Sequence, residues 1–173
     1  MVRYPDFRVW LWQTWERKIS GFLIWHTILW NSVTGYPDPD HPQNPYEDAM
    51  AWAYGYSENT PLPWGNGDAR FLYPPEAVAN GRPSKPNLDA PVDTIRIEML
   101  RDGIEDYEYL AMLKRGIENK RAYLSAEEFK TLEALLEVPD AISRSLEVFT
   151  KDPAPIEARR RELAQALELL EKK

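Results

Sequence analysis

The sequence predicts a mainly α chain with few strands: a helix and one buried strand, a long loop-rich stretch, then a tail of helices. Three observations predict it. Apolar residues early in the chain recur at helical spacing and then condense into one short aromatic run. Eleven of the fifteen prolines fall between Pro37 and Pro91, and all seven tryptophans lie at or before Trp64. Beyond Val92 the chain turns rich in Leu, Glu, Arg and Lys, with apolar positions at helical period. The chain therefore divides into residues 1–91, with the helix–strand unit and the loops, and residues 92–173, the helices that pack on it.

In "YPDFRVWLWQTWERKISGFLIWHTILWNS", Phe7, Trp10, Leu11 and Trp15 share a helix face that Val9 and Trp12 widen. Asp6 suits the positive start of that helix, and Arg17 and Lys18 its negative end. Ser20 and Gly21 punctuate. "FLIWH" is short, apolar and aromatic, so residues 21–26 read as a buried strand. One strand is not a sheet. Its partners must lie in another copy of the chain or in residues outside this sequence.

From Asn31 to Pro91 the period fades. Asn44 as N-cap and Pro45 at the first helical position predict a short helix over 46–54. Six aromatics between Tyr36 and Trp64 argue for ordered loop, because disordered segments are poor in them. "DTIRIEMLRDGIEDYEYLAMLKRGIENK" predicts a long helix started by Asp93 or Thr94, with Ile97, Leu100, Ile104, Tyr107, Leu110 and Ala111 on the inward stripe. Gly103 costs that helix about 1 kcal/mol against alanine, which close packing would explain. Ser125-Ala-Glu-Glu128 is a capping box that opens the next helix. A third helix is expected between Pro139 and about Phe149. "KDPAP" turns the chain, and a last helix closes it with Ile156, Leu163, Leu167 and Leu170 inward.

The net charge of -7 and a pI near 5.0 argue against a nucleic-acid partner, which would need clustered Lys and Arg. No stretch approaches the roughly 20 apolar residues of a membrane span. No signal peptide is evident, and the absence of cysteine excludes disulfides and thiolate zinc sites. These features leave the compartment unassigned. There is no P-loop, dinucleotide fingerprint or Ser/His/Asp order, so no cofactor is expected.

Four constellations carry chemistry. Trp25 and Trp30 flank the exit of the expected strand, beside His26 and Asn31. Indole faces stack on the C–H faces of sugar rings, while Asn and His bond hydroxyls; the competing reading is that large aromatics fill a core. "GNGDARFLYPP" places Asp68, Arg70 and Tyr73 on one loop. Asp38, Asp40 and His41 offer oxygens and an imidazole, but the intervening prolines and the lack of EF-hand spacing favour no metal. "RDGIEDYEY" holds Asp102, Glu105, Asp106 and Glu108. Arg101 and Glu105 are spaced for an ion pair. Asp102 and Asp106 repel at the same spacing, and Arg96 is a candidate cation. This group reads as a structural network rather than as acid–base machinery.

Three phrases in this order become specific: "RVWLWQTWERKISGFLIWHTILWN", "NGDARFLYPP" and "DTIRIEMLRDGIEDYEYLAML". From about Arg8 to Leu113 the chain resembles the C-terminal half of the glycoside hydrolase family 123 catalytic region, the 4091 domain of unknown function. The resemblance implies α/β architecture, with this piece as the C-terminal portion of a (β/α)8 TIM-type barrel followed by a helical tail. It implies a β-N-acetylgalactosaminidase-like retaining reaction in which the substrate's acetamido oxygen attacks the anomeric carbon. The family's adjacent Asp-Glu pair lies upstream of the matched region, and nothing in this chain corresponds to it. The isolated chain is therefore expected to be inactive, with no catalytic residue of its own. Active sites in such barrels sit at the C-terminal ends of strands, so the resemblance implies a hexosaminide-type glycan partner meeting Trp25, His26, Trp30, Asn31, Trp64, Asp68 and Tyr73. It also implies that the missing barrel half, or self-association, covers the orphan strand. Strand alternation would put Trp25 and His26 on opposite sides. Where the family reads Gly-Asp-Gly, this chain has Gly67-Asp68-Ala69, and an alanine resists a positive φ. A non-catalytic carbohydrate- or protein-binding module is the alternative function.

Overall fold

A computed structural model of the chain describes residues 6–30, 44–47, 69–79 and 87–173. These are mainly helical: α1 (Asp6–Glu16), α2 (Ile95–Lys120), α3 (Ala126–Ala134) and α4 (Ala154–Glu171). Two short strands, β1 (Leu72–Tyr73) and β2 (Val92–Asp93), pair antiparallel, with Leu72 opposite Asp93. No described helix is long and apolar enough to cross a membrane. The described residues fall into two units. A loop unit spans those of Leu23–Glu98, and a helical unit combines Arg3–Phe22 with Met99–Lys173.

The helical unit owns the larger core. Val9 and Trp12 from α1, Leu110 and Leu113 from α2, Ile142, and Ile156 and Leu163 from α4 are fully buried together. The buried face of α1 is rotated from the expected one: Phe7, Arg8, Val9, Leu11 and Trp12 are buried, whereas Trp10 is 44% exposed and Trp15 is only partly buried, because Arg8 and Trp12 turn in to meet Asp106. The helix ends in a turn of the Schellman kind. The Lys18 amide donates to Trp15 O at 3.1 Å, and the Ile19 amide to Thr14 O at 3.0 Å. Glycine usually occupies the left-handed position of this turn; here Lys18 holds it at φ 54°.

The inward stripe of α2 differs from the expected one. Leu100, Gly103, Asp106, Leu110, Leu113 and Ile117 are buried, whereas Ile104 is 46% exposed. The helix turns toward Asp106 because α1 presents Arg8 and Trp12 to that carboxylate. Thr94 starts α2, accepting from the Arg96 amide at 3.2 Å. Gly103 lies where a Cβ would stand 3.0 Å from Arg8 O and 2.9 Å from Leu11 Cδ2. Its expected packing role is real: α1 and α2 touch there through backbone.

The capping box of α3 is complete, with Ser125 Oγ accepting from the Glu128 amide and the Glu128 side chain accepting from the Ser125 amide. The expected helix after Pro139 does not form. Residues 142–150 fold back as a hairpin in which the Arg144 amide meets Val148 O at 2.9 Å and the Thr150 amide meets Ile142 O at 2.9 Å. Ser145 explains the difference. Its hydroxyl accepts from the Glu147 and Val148 amides and so closes the turn that a helix would have to open. α4 buries Ile156, Leu163, Ala166 and Leu170, with Leu167 packed at the edge.

The loop unit is organised around Phe71, which is buried. Its amide and that of Leu72 both donate to Thr27 O, at 2.8 and 3.1 Å, the pattern of a β-bulge. Leu29 N donates to Ala69 O at 3.0 Å, and Thr94 Oγ1 donates to Phe71 O at 2.6 Å. Residues 21–26 are not a strand. They carry no ladder, and Leu23 is 84% exposed rather than buried. A strand needs a second backbone to satisfy its amides and a second layer to cover its side chains. Neither is found for this segment among the described residues. The turn at 45–47 has the predicted cap, with the Tyr46 amide donating to Asn44 Oδ1 at 3.0 Å; the rest of the helix expected over 46–54 lies outside the described residues.

Candidate functional site

The expected carbohydrate residues divide into two groups in the loop unit. Trp25 and His26 stand together: their rings meet edge to face, 4.2 Å between centroids and 78° between planes. Strand alternation would separate them, but the segment is not a strand, so both rings share one side. Trp25 is 57% exposed, and His26 is exposed beside it. Trp30 and Tyr73 form the second group. The Trp30 indole donates to Leu72 O at 2.8 Å, which fixes the ring against β1. Tyr73 meets Tyr46 edge to face at 5.2 Å, and the Tyr46 hydroxyl donates to Pro74 O at 2.7 Å. Burial, followed by the nearby charge of Glu76, raises that hydroxyl above its ordinary pKa. Asn31, Trp64 and Asp68 lie outside the described residues, as do Asp38, Asp40 and His41.

One residue of this group, Tyr46, is not among the expected site residues. The sequence predicts it only as part of a helix, and nothing local signals that it would reach Tyr73. Arg70, fully buried, holds the loop by donating from Nε to Leu29 O at 2.9 Å. Ala69 adopts φ 57°, so the alanine does take the left-handed conformation it was expected to resist. The surrounding bonds from Leu29 and Phe71 impose that conformation. The described groups thus present exposed rings at Trp25 and His26, while the Trp30 indole N–H, the Tyr46 hydroxyl and Arg70 Nε are engaged by backbone carbonyls.

The carboxylates of α2 serve another purpose. Arg8 clamps Asp106 with Nε at 2.6 Å and Nη2 at 3.0 Å, Trp12 Nε1 donates to it at 3.0 Å, and Arg160 Nη1 approaches at 3.3 Å. Arg8 also pairs with Glu157, and Arg160 with Glu105 at 2.6 Å. The network reading stands, and the cations that meet Asp106 are Arg8 and Arg160, which the sequence did not single out. Burial opposes the charge of Arg8, and its bonds to Asp106 and Glu157 outweigh that and raise its pKa. The hydrogen bond from Arg160 holds Glu105 below the usual carboxylate range. Among the described residues no group of three His, Cys, Asp or Glu is placed to hold a metal ion.

No family model matches the chain, and neither a curated protein nor a solved structure matches it.

Proposed function

We propose that this chain is the C-terminal part of a glycoside hydrolase domain of the family 123 kind, acting on hexosaminide-type glycans. One observation carries the reading. The three phrases of the resemblance lie far apart in sequence, yet Thr27 and Leu29, Ala69 to Phe71, and Thr94 join in one hydrogen-bonded junction. The exposed apolar segment at residues 22–25 supports it further, since a barrel strand awaiting neighbours would present such a surface. In this reading the segment, unpaired in the chain alone, becomes a strand of a (β/α)8 sheet once its neighbours are present; alternation then turns Trp25 toward the sugar and His26 away from it, and Trp30 and Tyr73 face the sugar. The acid/base carboxylates come from residues outside this sequence.

Two measurements test this. The chain alone should not release nitrophenol from nitrophenyl β-N-acetylgalactosaminide; turnover that survives purification controls refutes the division of labour. N-acetylgalactosamine should change tryptophan fluorescence saturably, and Trp25→Ala should abolish the change. A flat titration removes the sugar-facing role. A second reading, a non-catalytic carbohydrate-binding module, is favoured by the exposure of the Trp25–His26 pair on the chain by itself. It predicts the same titration but no gain of hydrolysis when upstream sequence carrying an Asp-Glu pair is added.

A further inference from the structure

We infer that the helical unit carries a second binding site, for a small aromatic monocarboxylate, in the cleft between the end of α1, the middle of α2 and the segment after α3. The cavity there measures about 640 Å3, within the roughly 300–1,000 Å3 of small-molecule sites. Its apolar wall is Trp15, Tyr107, Leu136 and Val138. Trp15 and Tyr107 meet edge to face at 5.4 Å and 82°. The Trp15 indole is fixed by its bond to Leu136 O at 2.8 Å, so the wall is preformed. Such a surface suits a flat ring.

The charge of the ligand follows from the polar residues of the same cleft. Lys18 and Lys114 line it, and neither ammonium makes a salt bridge among the described residues, although the chain as a whole is acidic. Two glutamates also line it. Glu16 is engaged by Arg17, while Glu137 makes no salt bridge among the described residues. Two lysines set against one such glutamate leave room for a single negative charge and disfavour a dianion. Lys18 adds an independent sign. It occupies the left-handed position of the α1 turn, where glycine would be unstrained, and strain of this kind collects at ligand sites. A lysine at that position sacrifices backbone comfort and places a cation at the cleft.

The test uses the full chain with 2-naphthoate and its neutral analogue 2-naphthamide, followed by titration calorimetry and by the Trp15 indole N–H resonance. Naphthoate should bind saturably, at least about tenfold tighter than the amide, because a charge-assisted hydrogen bond outweighs a neutral one. The double variant Lys18→Gln/Lys114→Gln should lose that preference and keep its amide affinity. Lys18→Gly should melt at a higher temperature yet bind naphthoate more weakly, separating binding from stability. Equal affinity for the two probes, no saturation by naphthoate, or a double variant that retains the preference would each overturn the assignment.

Discussion

The indole of Trp12 donates to the carboxylate of Asp106 at 3.0 Å, with both side chains fully buried. Together with the two-pronged grip of Arg8, this turns an ionised group into part of the core. A buried charge is stable only when paired and hydrogen-bonded. Asp106→Ala should therefore destabilise the helical unit by about 3–5 kcal/mol, since it leaves the buried Arg8 with the half-exposed Glu157 as its remaining carboxylate. Urea unfolding followed by circular dichroism measures this. The double change Arg8→Met/Asp106→Leu should recover most of the loss, because the pair is then replaced by apolar volume.

Gly103 and Gly116 sit on the same helix and should respond oppositely to alanine. A Cβ at Gly103 meets the backbone of Arg8 at 3.0 and 3.1 Å, which cannot yield cheaply. Gly103→Ala should cost about 1–3 kcal/mol through overpacking. At Gly116 the only near atom is Leu170 Cδ1 at 3.0 Å, the tip of a flexible side chain. Gly116→Ala should be neutral or gain up to about 1 kcal/mol from helix propensity. Thermal melts of the two variants decide the contrast.

Ala69 offers a backbone test in the loop unit. Its φ of 57° is unstrained for glycine, tolerable for alanine and poor for a β-branched residue. Ala69→Gly should slow amide exchange at Leu29, Phe71 and Leu72, whose bonds depend on that turn. Ala69→Val should speed it, with a loss of about 1–2 kcal/mol.

Acid should loosen the tie between α3 and the end of α4. The hydrogen bond from Lys173 Nζ at 2.6 Å, aided by the Ser125 amide, holds Glu128 down from an ordinary 4.5 to about 2. A lowered folded-state pKa means the unfolded chain takes up the proton first. The contribution is therefore complete above pH 4.5 and fades as pH falls toward 2. Glu105, lowered by Arg160, acts in the same direction. Glu128→Gln should melt lower than the parent at neutral pH, and the difference should vanish near pH 2 and shrink in salt.

Local signals were legible in the sequence, and distant partners were not. The face of α4, the Ser125 box, the Thr94 start and the tight approach at Gly103 follow from spacing and residue type, whereas α1 turns Val9 and Trp12 inward and leaves Trp10 exposed. The partner of Asp106 does not, because Arg8 lies 98 positions away and nothing local marks it. That omission also shifted the expected stripe on α2 toward Ile104. Residues 21–26 have strand composition, yet composition cannot supply a neighbouring backbone. The hairpin after Pro139 turned on one hydroxyl, that of Ser145, against a helical pattern too short to resist it. Of the expected sugar-facing residues, the ring contact between Trp25 and His26 was hidden by the assumption of alternation, and the Tyr46–Tyr73 contact by a separation that no periodicity spans.

The helical unit is discontinuous: its first helix is made before the loop unit and the other three after it. At a translation rate of roughly 5–20 residues per second, Arg8 emerges about 5–20 s before Asp106. Through that interval Val9 and Trp12 belong to a short helix that lacks the partners burying them in the folded unit, and a helix of this length is marginal in water without packing. The nascent chain therefore carries an adhesive segment at α1, separated in time from the partners that bury it until α2 leaves the ribosome.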